Sequence, residues 1–251
     1  MILYYTCKVI KITNKIQQII LERCEGQMEE KIALEELQAR FLKMPTTVVS
    51  DALDACDITE NAVCGIHPVW KCPPVFGRAV TVRNVPASTH TQKNHGGFVT
   101  AQQVVPGSIV VVDNGGDVEN NGWGELVAWA CRMNGAIATI VDGAVRDVGA
   151  FEEMEYPVYA KGITLRTARK RMVQDAVNVN IRFKNTQVRP GDYIMADVNG
   201  ICVIPPERVE EILEKAEAIQ KKEDEMIEKI KAGYNALDVQ AKSGYENMLR
   251  K

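Results

Sequence analysis

The sequence lacks the features that mark several specialised classes of protein. Its seven cysteines never form a C-x-x-C pair, and their odd number and wide scatter favour a reducing compartment. The apolar start of the chain is interrupted by Lys8, Lys11 and Lys15, so it resembles neither a signal-peptide core nor a membrane span. We therefore predict a cytoplasmic protein that does not use a membrane as a partner.

An excess of charge of either sign is also missing. Thirty basic residues against thirty-three acidic ones leave a net charge of -3, which argues against a nucleic-acid partner. With 251 residues, 46% of them hydrophobic and 25% charged, the composition is that of a globular protein with a sizeable core. A small anionic ligand can still bind at a local site.

Short apolar runs bounded by glycine, proline and asparagine predict the central strands. They lie at 76–85, 108–113, 136–143 and 156–162. A helical stretch, ELVAWACRMN, separates the second run from the third and ends at Gly135. Strand, helix and strand in this order form a crossover unit, which predicts a parallel pair in an α/β sheet.

The segments on either side of these central strands show different sequence patterns. Residues 188–205 contain tight-turn signals between strand-like runs and predict an antiparallel meander, and a long amphipathic helix follows and ends at Gly233. Thr46 or Thr47 has the character of a helix cap. We predict an α/β fold with a mixed sheet in layers, organised as a helical extension (1–44), a core (45–205) and a C-terminal helix and tail (206–251).

Two features at predicted strand ends carry candidate chemistry. The glycine-rich loop 114–124 leads into a helix that opens at Gly124, and free N–H groups at a helix N-terminus suit a carboxylate or a phosphate. Arg146 and Asp147 directly follow the strand 136–143 and its extension. An Arg can bind a carboxylate by its fork, and an Asp can hold a hard cation through oxygen. Each feature alone also occurs in proteins without such chemistry.

Taken together, the motifs of this chain resemble a known family from about Pro45 to Gly233. That family joins the regulator of ribonuclease activity A, proteins once labelled demethylmenaquinone methyltransferases, and metal-dependent 4-hydroxy-4-methyl-2-oxoglutarate aldolases. In its aldolase members an acidic residue precedes an Arg-Asp pair by twenty residues, a gap that Glu125 and Arg146-Asp147 keep. The matching stretches are TTVVSDALD (46–54), FGRAVTV (76–82), VPGSIVVVD (105–113), WGELVA (123–128), GAIATIVDGAVRD (135–147) and RPGDYIMADVNGICVIP (189–205).

The resemblance implies a site that forms the enolate of pyruvate. In it Asp147 would be the ligand of Mg²⁺ or Mn²⁺, Arg146 would hold the keto-acid end of the substrate, and Glu125 would orient a metal-bound water. The N–H groups of Glu125, Leu126 and Val127 at the start of the helix would bind the pyruvate carboxylate. An enolate oxyanion is stabilised by a cation and an Arg, so the assignment is chemically coherent.

The resemblance leaves the reaction open between two activities, aldol cleavage and oxaloacetate decarboxylation, which share the pyruvate enolate. Aldolase members usually carry a further acid three residues after the Asp, where this chain has Ala150. A non-catalytic, protein-binding role is the competing hypothesis. The resemblance also implies a homotrimer or a homohexamer of chains with a small keto-acid substrate.

Two further site residues are predicted on weaker grounds. His95 lies with His90 in a turn-rich stretch, STHTQKNHGGF, where contact with substrate and plain solvent exposure are equally expected. Glu223 falls in the middle of the apolar face of the C-terminal helix, and family aldolases borrow a glutamate from the adjoining chain. We therefore predict that Glu223 serves a neighbouring subunit's site, against the alternative that it is a solvated interruption. The regularly spaced Cys56, Cys64 and Cys72 match no zinc pattern and are expected to be small buried side chains.

Overall fold

The computed structural model describes residues 32–88 and 97–244. The chain divides into two units, Met1–Glu36 and Leu37–Lys251. In the first unit the structure describes the last five residues, where the helix Leu34–Phe41 begins. All other elements belong to the second unit. Of the predicted helical extension (1–44), residues 1–31 lie outside the described residues.

The second unit alternates strands and helices along its middle and has longer helical segments at its end. The helices are α1 (Leu34–Phe41), α2 (Thr46–Ala55), α3 (Gly97–Ala101), α4 (Glu125–Met133), α5 (Val148–Glu153), α6 (Val209–Lys231) and α7 (Ala236–Ser243). The strands are β1 (Ala62–Val63), β2 (His67–Pro68), β3 (Val75–Pro86), β4 (Ser108–Asp113), β5 (Asn121–Trp123), β6 (Ala136–Val145), β7 (Val158–Ile163), β8 (Met172–Val177), β9 (Ile181–Phe183), β10 (Thr186–Val188), β11 (Tyr193–Ala196) and β12 (Ile201–Ile204).

One mixed sheet organises the unit. Its main path runs β1-β12-β11-β3-β4-β6-β7-β2, with β5 paired to β6 and β8 paired to β3. The central strands β3, β4, β6 and β7 are parallel neighbours, which confirms the predicted crossover unit around α4. The remaining pairs on this path are antiparallel, including β11 with β12, as the meander prediction required. The hairpin of β9 and β10 forms a separate two-stranded sheet.

A hydrophobic core lies on each face of the parallel strands, because their alternate side chains are buried on both sides. On one face Val111, Ile140 and Tyr159 pack with Ile181 and Phe183 of the β9–β10 hairpin. The opposite face is covered by helices. There the buried side chains of the strands pack with those of the helices, among them Val112, Val141, Ala128, Cys131 and Phe151.

The start of α2 differs from the sequence prediction. Thr46 is the first helical residue rather than the cap, and the preceding Pro45 makes no side-chain cap. The acceptor comes instead from a distant turn, since Asp197 accepts hydrogen bonds from both the N–H (2.8 Å) and the hydroxyl (2.6 Å) of Thr46. A carboxylate at a helix N-terminus satisfies free N–H groups and favours the helix dipole.

The C-terminal helix α6 buries only its first half. Val209, Ile212, Leu213, Ala216 and Ile219 are buried, whereas Ile227 and Ile230 further along are nearly half exposed. No helix in residues 32–88 and 97–244 has both the length and the apolar character needed to cross a membrane.

The regularly spaced cysteines are not all buried. Cys56 is buried and Cys72 is partly buried, but Cys64 is exposed, so the expectation was wrong for Cys64. The reason is local: Cys64 follows the two-residue strand β1 and precedes Gly65, whose φ of +79° belongs to a turn.

Candidate active site

Two segments meet at the carboxyl end of β6: the one that joins β5 to α4, and the one that joins β6 to α5. The strand β5 runs parallel to this end, with Trp123 opposite Val145, and leads directly into α4. The N–H of Arg146 donates to the Trp123 carbonyl across 3.2 Å. This pairing brings the Arg146-Asp147 pair beside the first turn of α4, although twenty residues separate them in the sequence.

Asp147 has an unusual backbone. Its φ of 64° and ψ of 38° are left-handed, and it stands as the cap residue of α5. Asp tolerates this region better than most residues, but the conformation still stores strain that the surrounding structure must hold. Its Oδ2 accepts a hydrogen bond from the Glu125 N–H across 3.2 Å. The left-handed turn therefore directs the carboxylate back to the N-terminus of α4.

Gly124 lies where these two segments approach each other closely. A Cβ atom at Gly124 would lie 2.9 Å from Oδ2 of Asp147 and 3.5 Å from Nε of Arg146. Its φ of -148° and ψ of -179° are ordinary extended values. Space, rather than backbone freedom, is what glycine supplies here.

The N–H groups predicted to hold a carboxylate are not equivalent. The first helical hydrogen bond of α4 runs from the Ala128 N–H to the Gly124 carbonyl, so the N–H groups of Leu126 and Val127 precede the helical ladder. The Glu125 N–H is already engaged by Asp147. Among the described residues, the other two predicted donors have no acceptor, and they lie beside an exposed Leu126 side chain.

Arg146 is placed against Asp147 but is not fully satisfied by it. Nε of Arg146 lies 3.4 Å from Oδ2 of Asp147, which makes an ion pair, and both side chains are 37% exposed. Within the described part of the chain, this buried Nε has no acceptor at hydrogen-bond geometry. A guanidinium with an unsatisfied donor beside an open helix N-terminus is suited to an anionic ligand.

The donor set fits Mg²⁺ or Mn²⁺ held mainly by water and ligand oxygens. Asp147 and the exposed Glu125 each supply a hard carboxylate, and their residues meet where the Glu125 N–H donates to Asp147. Oδ1 of Asp147 accepts no hydrogen bond from another described residue. The described residues contain no group of three His, Cys, Asp or Glu able to form an all-protein cage. Mg²⁺ usually keeps several waters and binds through one or two carboxylates, so this smaller set is compatible with it.

A second charged group, which the sequence analysis did not single out, lies beneath the glycine-rich loop. Asp142, only 4% exposed, forms an ion pair with the Lys161 ammonium. Its neighbour across the sheet is Asp113, and burial, reinforced by the charge of Asp142, raises the pKa of Asp113 despite a hydrogen bond from the Gly115 N–H. The sequence contained a sign of this pair, since the predicted strands 108–113 and 136–143 each carry an Asp near their carboxyl ends. Two carboxylates at the same level of adjacent parallel strands favour a nearby cation.

A basic run was missed as well. Arg166, Arg169, Lys170 and Arg171 fall within six residues that follow β7, and the Arg166 carbonyl accepts from the Asn121 N–H across 3.1 Å. The run is therefore tied to the start of β5. Four cations in six residues were a visible signal in the sequence.

Two predicted site residues remain, His95 and Glu223. His95 lies outside the described residues, as does His90. Glu223 is partly buried in the second half of α6, and its role toward a neighbouring subunit stays a prediction. A groove of about 880 Å³ lies beside the same half of α6, but it contains none of the predicted site residues.

Comparison with known proteins identifies the family. The model of the Aldolase/RraA family, described as RraA-like, matches residues 46–203, more than half of the chain. The chain therefore belongs to this RraA-like family.

Two relatives illustrate how far the similarity extends. A Halalkalibacterium halodurans protein named "Putative 4-hydroxy-4-methyl-2-oxoglutarate aldolase" is 31% identical over 181 residues, covering 72% of this chain and 82% of its own. Protein DlpA of Legionella pneumophila is 30% identical over 204 residues and covers 81% of this chain. The matched part is only 33% of the Legionella protein.

Solved structures agree on the fold. An uncharacterized protein from Pseudomonas syringae has a TM-score of 0.73 at 26% identity, covering 83% of this chain and 98% of its own. Streptomyces coelicolor RraAS2, described as an unusual member of the RNase ES inhibitor RraA family, has a TM-score of 0.67 at 21% identity, covering 75% and 94%. These similarities confirm the predicted α/β class with a mixed sheet.

Proposed function

We propose that this protein is a divalent-metal-dependent lyase that cleaves a pyruvate-containing 2-keto acid at the bond between the α- and β-carbons of its keto group. The reaction is aldol cleavage of a 4-hydroxy-4-methyl-2-oxoglutarate type of substrate, decarboxylation of oxaloacetate, or both. The observation that carries the proposal is the convergence of Arg146 and Asp147 on the N-terminus of α4. Relatives whose names describe aldolases support it.

The residues of this chain account for the binding of a keto acid. The N–H groups of Leu126 and Val127 would donate hydrogen bonds to the carboxylate, where the helix dipole favours negative charge. The Arg146 guanidinium would face the keto oxygen. The pairing of β5 with the end of β6 brings Arg146 beside the first turn of α4, where these N–H groups lie.

The same residues account for stabilisation of the transition state. When the carbon–carbon bond breaks, its electron pair moves onto the pyruvate fragment and the keto oxygen becomes an enolate oxyanion. A guanidinium already fixed beside that oxygen stabilises the new charge without reorganisation. In aldol cleavage the hydroxyl group of the departing fragment gives up its proton and becomes a carbonyl, and in decarboxylation the carboxylate leaves as CO₂. The pyruvate fragment then takes a proton at carbon to give pyruvate.

Asp147, assisted by Glu125, would hold Mg²⁺ or Mn²⁺. The cation would act as a Lewis acid that withdraws charge from the keto oxygen. Ala150 stands where aldolase members of the family usually carry a further acid. Decarboxylation needs fewer catalytic groups from the protein than aldol cleavage does. The choice between the two substrates is therefore left to the assay.

The competing function is a protein-binding regulator with a vestigial site. Fold alone does not decide between them, since the Streptomyces structure of the same fold is described as a member of an inhibitor family. The presence of the complete Glu125, Arg146 and Asp147 set favours the enzyme.

One assay separates the two functions. Pyruvate release from oxaloacetate is followed with Mg²⁺, and the uncatalysed rate with Mg²⁺ alone is subtracted. We expect turnover that EDTA abolishes and that Asp147→Asn removes, since Asn tolerates the left-handed backbone but offers a neutral oxygen. The matched control is Asp175→Asn, which removes an exposed carboxylate paired with Arg83 and leaves the site untouched. Turnover no faster than background, or an Asp147→Asn variant with normal metal-dependent turnover, contradicts the proposal.

A further inference from the structure

We propose that Lys161 is a positioning residue of this site: paired with the buried Asp142, it holds the glycine-rich loop 114–120 in the shape that places the N-terminus of α4. The inference rests on the proposed function for its catalytic consequence. Its structural half, the hold on the loop, is independent of that function. Lys161 itself touches neither Arg146 nor Asp147 in the contacts of the described residues.

Asp142 connects three segments at the carboxyl end of β6. Its Oδ1 is paired with the ammonium of Lys161 on β7 and, within the described residues, accepts no hydrogen bond from any other group. Its Oδ2 accepts from the Lys184 N–H in the β9–β10 hairpin across 3.2 Å. Its carbonyl accepts from the Gly116 N–H across 2.9 Å. A buried carboxylate of this kind depends on its cation, because it would otherwise be an unpaired charge away from water.

The ammonium of Lys161 lies directly under the loop. A Cβ atom at Gly116 would stand 3.1 Å from Nζ of Lys161, so the loop backbone packs on the ion pair. The Asp117 carbonyl accepts from the Ala144 N–H across 2.8 Å, which fixes the next residue of the loop to β6. The first half of the loop is therefore seated on the Asp142–Lys161 pair and on the strand that carries Asp142.

The loop in turn sets the position of α4. The Asn114 side chain, buried beneath the loop, accepts from the Asn84 amide across 3.0 Å. Gly122 packs on it so closely that a Cβ atom there would lie 2.8 Å from Cγ of Asn114. Gly122 is the centre of β5, and Gly124 follows two residues later. A shift of the loop is therefore transmitted through Asn114 to the first turn of α4.

An exposed ion pair on the same loop provides a matched control. Arg166 pairs with Glu119 at 2.7 Å, but both side chains are more than half exposed. Exposed pairs contribute little, whereas removing one partner of a buried pair leaves an uncompensated charge. Arg166→Gln should therefore leave the loop and the kinetics unchanged.

The test compares Lys161→Met, Lys161→Arg and the double variant Lys161→Met/Asp142→Asn in the full chain. The double variant removes the uncompensated charge, while the amide oxygen introduced at position 142 can still accept from the Lys184 N–H and the backbone carbonyl stays in place, so it separates loss of stability from loss of position. Hydrogen exchange is measured by mass spectrometry on peptides from 114–128 and, as a reference, from α6. Pyruvate release from oxaloacetate gives KM and kcat separately.

We expect the double variant to recover the melting temperature that Lys161→Met loses, yet to keep about ten-fold faster exchange in 114–128 and about ten-fold higher KM. Lys161→Arg, which retains a cation, should approach the original protein in both measurements. Original exchange and KM in the double variant would overturn the inference. If the unmodified protein releases no pyruvate, the proposed function fails while the exchange result still decides whether Lys161 holds the loop.

Discussion

Oδ2 of Asp147 accepts the N–H of Glu125 across 3.2 Å and lies 3.4 Å from Nε of Arg146. One carboxylate oxygen thus ties together a helix N-terminus and a guanidinium. The left-handed backbone of Asp147 is the local means by which the chain turns this side chain back toward α4. Oδ1 of Asp147 accepts no hydrogen bond from another described residue, and it is the oxygen that would bind the proposed cation.

The space beside this oxygen is tested by Gly124→Ala. The added methyl would lie 2.9 Å from Oδ2, and the flexible carboxylate can yield more easily than the backbone. We expect kcat/KM to fall about ten-fold or more while the free energy of unfolding changes by less than about 1 kcal/mol. Chemical unfolding and steady-state kinetics measure the two quantities on the same preparation.

The control for this substitution is Gly149→Ala in α5. A Cβ atom there would meet no atom within 4 Å, and the residue is helical. Its activity should stay unchanged and its stability should equal or slightly exceed the original. A Gly124→Ala protein with normal kinetics would show that Asp147 need not occupy the position seen in the structure.

The fork of Arg146 is tested by Arg146→Lys. Lysine keeps the charge but cannot present parallel N–H donors, so both substrate binding and charge stabilisation should suffer. We expect kcat/KM to fall about 100-fold, equivalent to about 2.7 kcal/mol of transition-state stabilisation. Arg83→Lys, which alters an exposed pair of similar accessibility, serves as the control. Equal kinetics in the two variants would remove Arg146 from the site.

The sequence was sufficient to predict the central sheet because the apolar runs and the turn-forming residues that bound them indicate the same strands. SIVVVD and AIATIVDG are buried on both faces and occur as β4 and β6, with α4 between them ending before Gly135. Such runs of β-branched residues fit only a strand covered on both sides. The gap between Glu125 and the Arg-Asp pair could be read from the resemblance, but the distances could not.

The features that escaped prediction depend on contacts between distant segments. The acceptor for the start of α2 is Asp197, 151 residues away from Thr46, and no local pattern announces it. The small strand β5 occurs where the sequence shows only a glycine-rich loop, because its partner is the end of β6. The engagement of the Glu125 N–H by Asp147 requires the left-handed turn, which composition does not encode.

Asp197 gives a prediction about acid stability. Burial would raise its pKa, but hydrogen bonds from Thr46 and Asn199 outweigh burial and hold the pKa of Asp197 below its ordinary value. A carboxyl with a lowered folded pKa stabilises the fold above its unfolded pKa, and this contribution is lost as the pH falls through the folded pKa. Asp197→Asn should therefore reduce the free energy of unfolding at pH 7 by about 1–2 kcal/mol, since the group is only partly buried.

The pH dependence of that difference is the decisive measurement. Urea unfolding of the original and Asp197→Asn proteins at a series of pH values should show the gap closing as the pH falls below about 4, the ordinary range of aspartate. Asp175→Asn, at an exposed pair, should show a much smaller gap throughout. A gap for Asp197→Asn that stays constant down to low pH would mean that shape, and not charge, stabilises the start of α2.

Glu223 tests the predicted assembly. Light scattering after size exclusion should report a mass of three or six chains, and Glu223→Gln should keep that mass while lowering kcat about ten-fold or more. The reason is positional: the buried stripe of α6 ends at Ile219, while Ile227 and Ile230 are nearly half exposed, so Glu223 stands where α6 passes from the core to its surface. The control is Glu225→Gln, which changes an exposed acid on the same helix and should alter neither the mass nor kcat.

Mixing two inactive proteins shows whether Glu223 acts across chains. If a site combines Asp147 of one chain with Glu223 of the next, co-assembly of Asp147→Asn and Glu223→Gln chains creates some sites with both native residues. Random assembly at equal amounts would restore about a quarter of the original activity, because each of the two residues is native with a chance of about one half. If both residues had to come from the same chain, mixing would restore nothing. Unchanged turnover of Glu223→Gln alone would show that the residue is only a solvated interruption of the apolar face of the helix. A monomer with full activity would show that assembly is not needed for the proposed reaction.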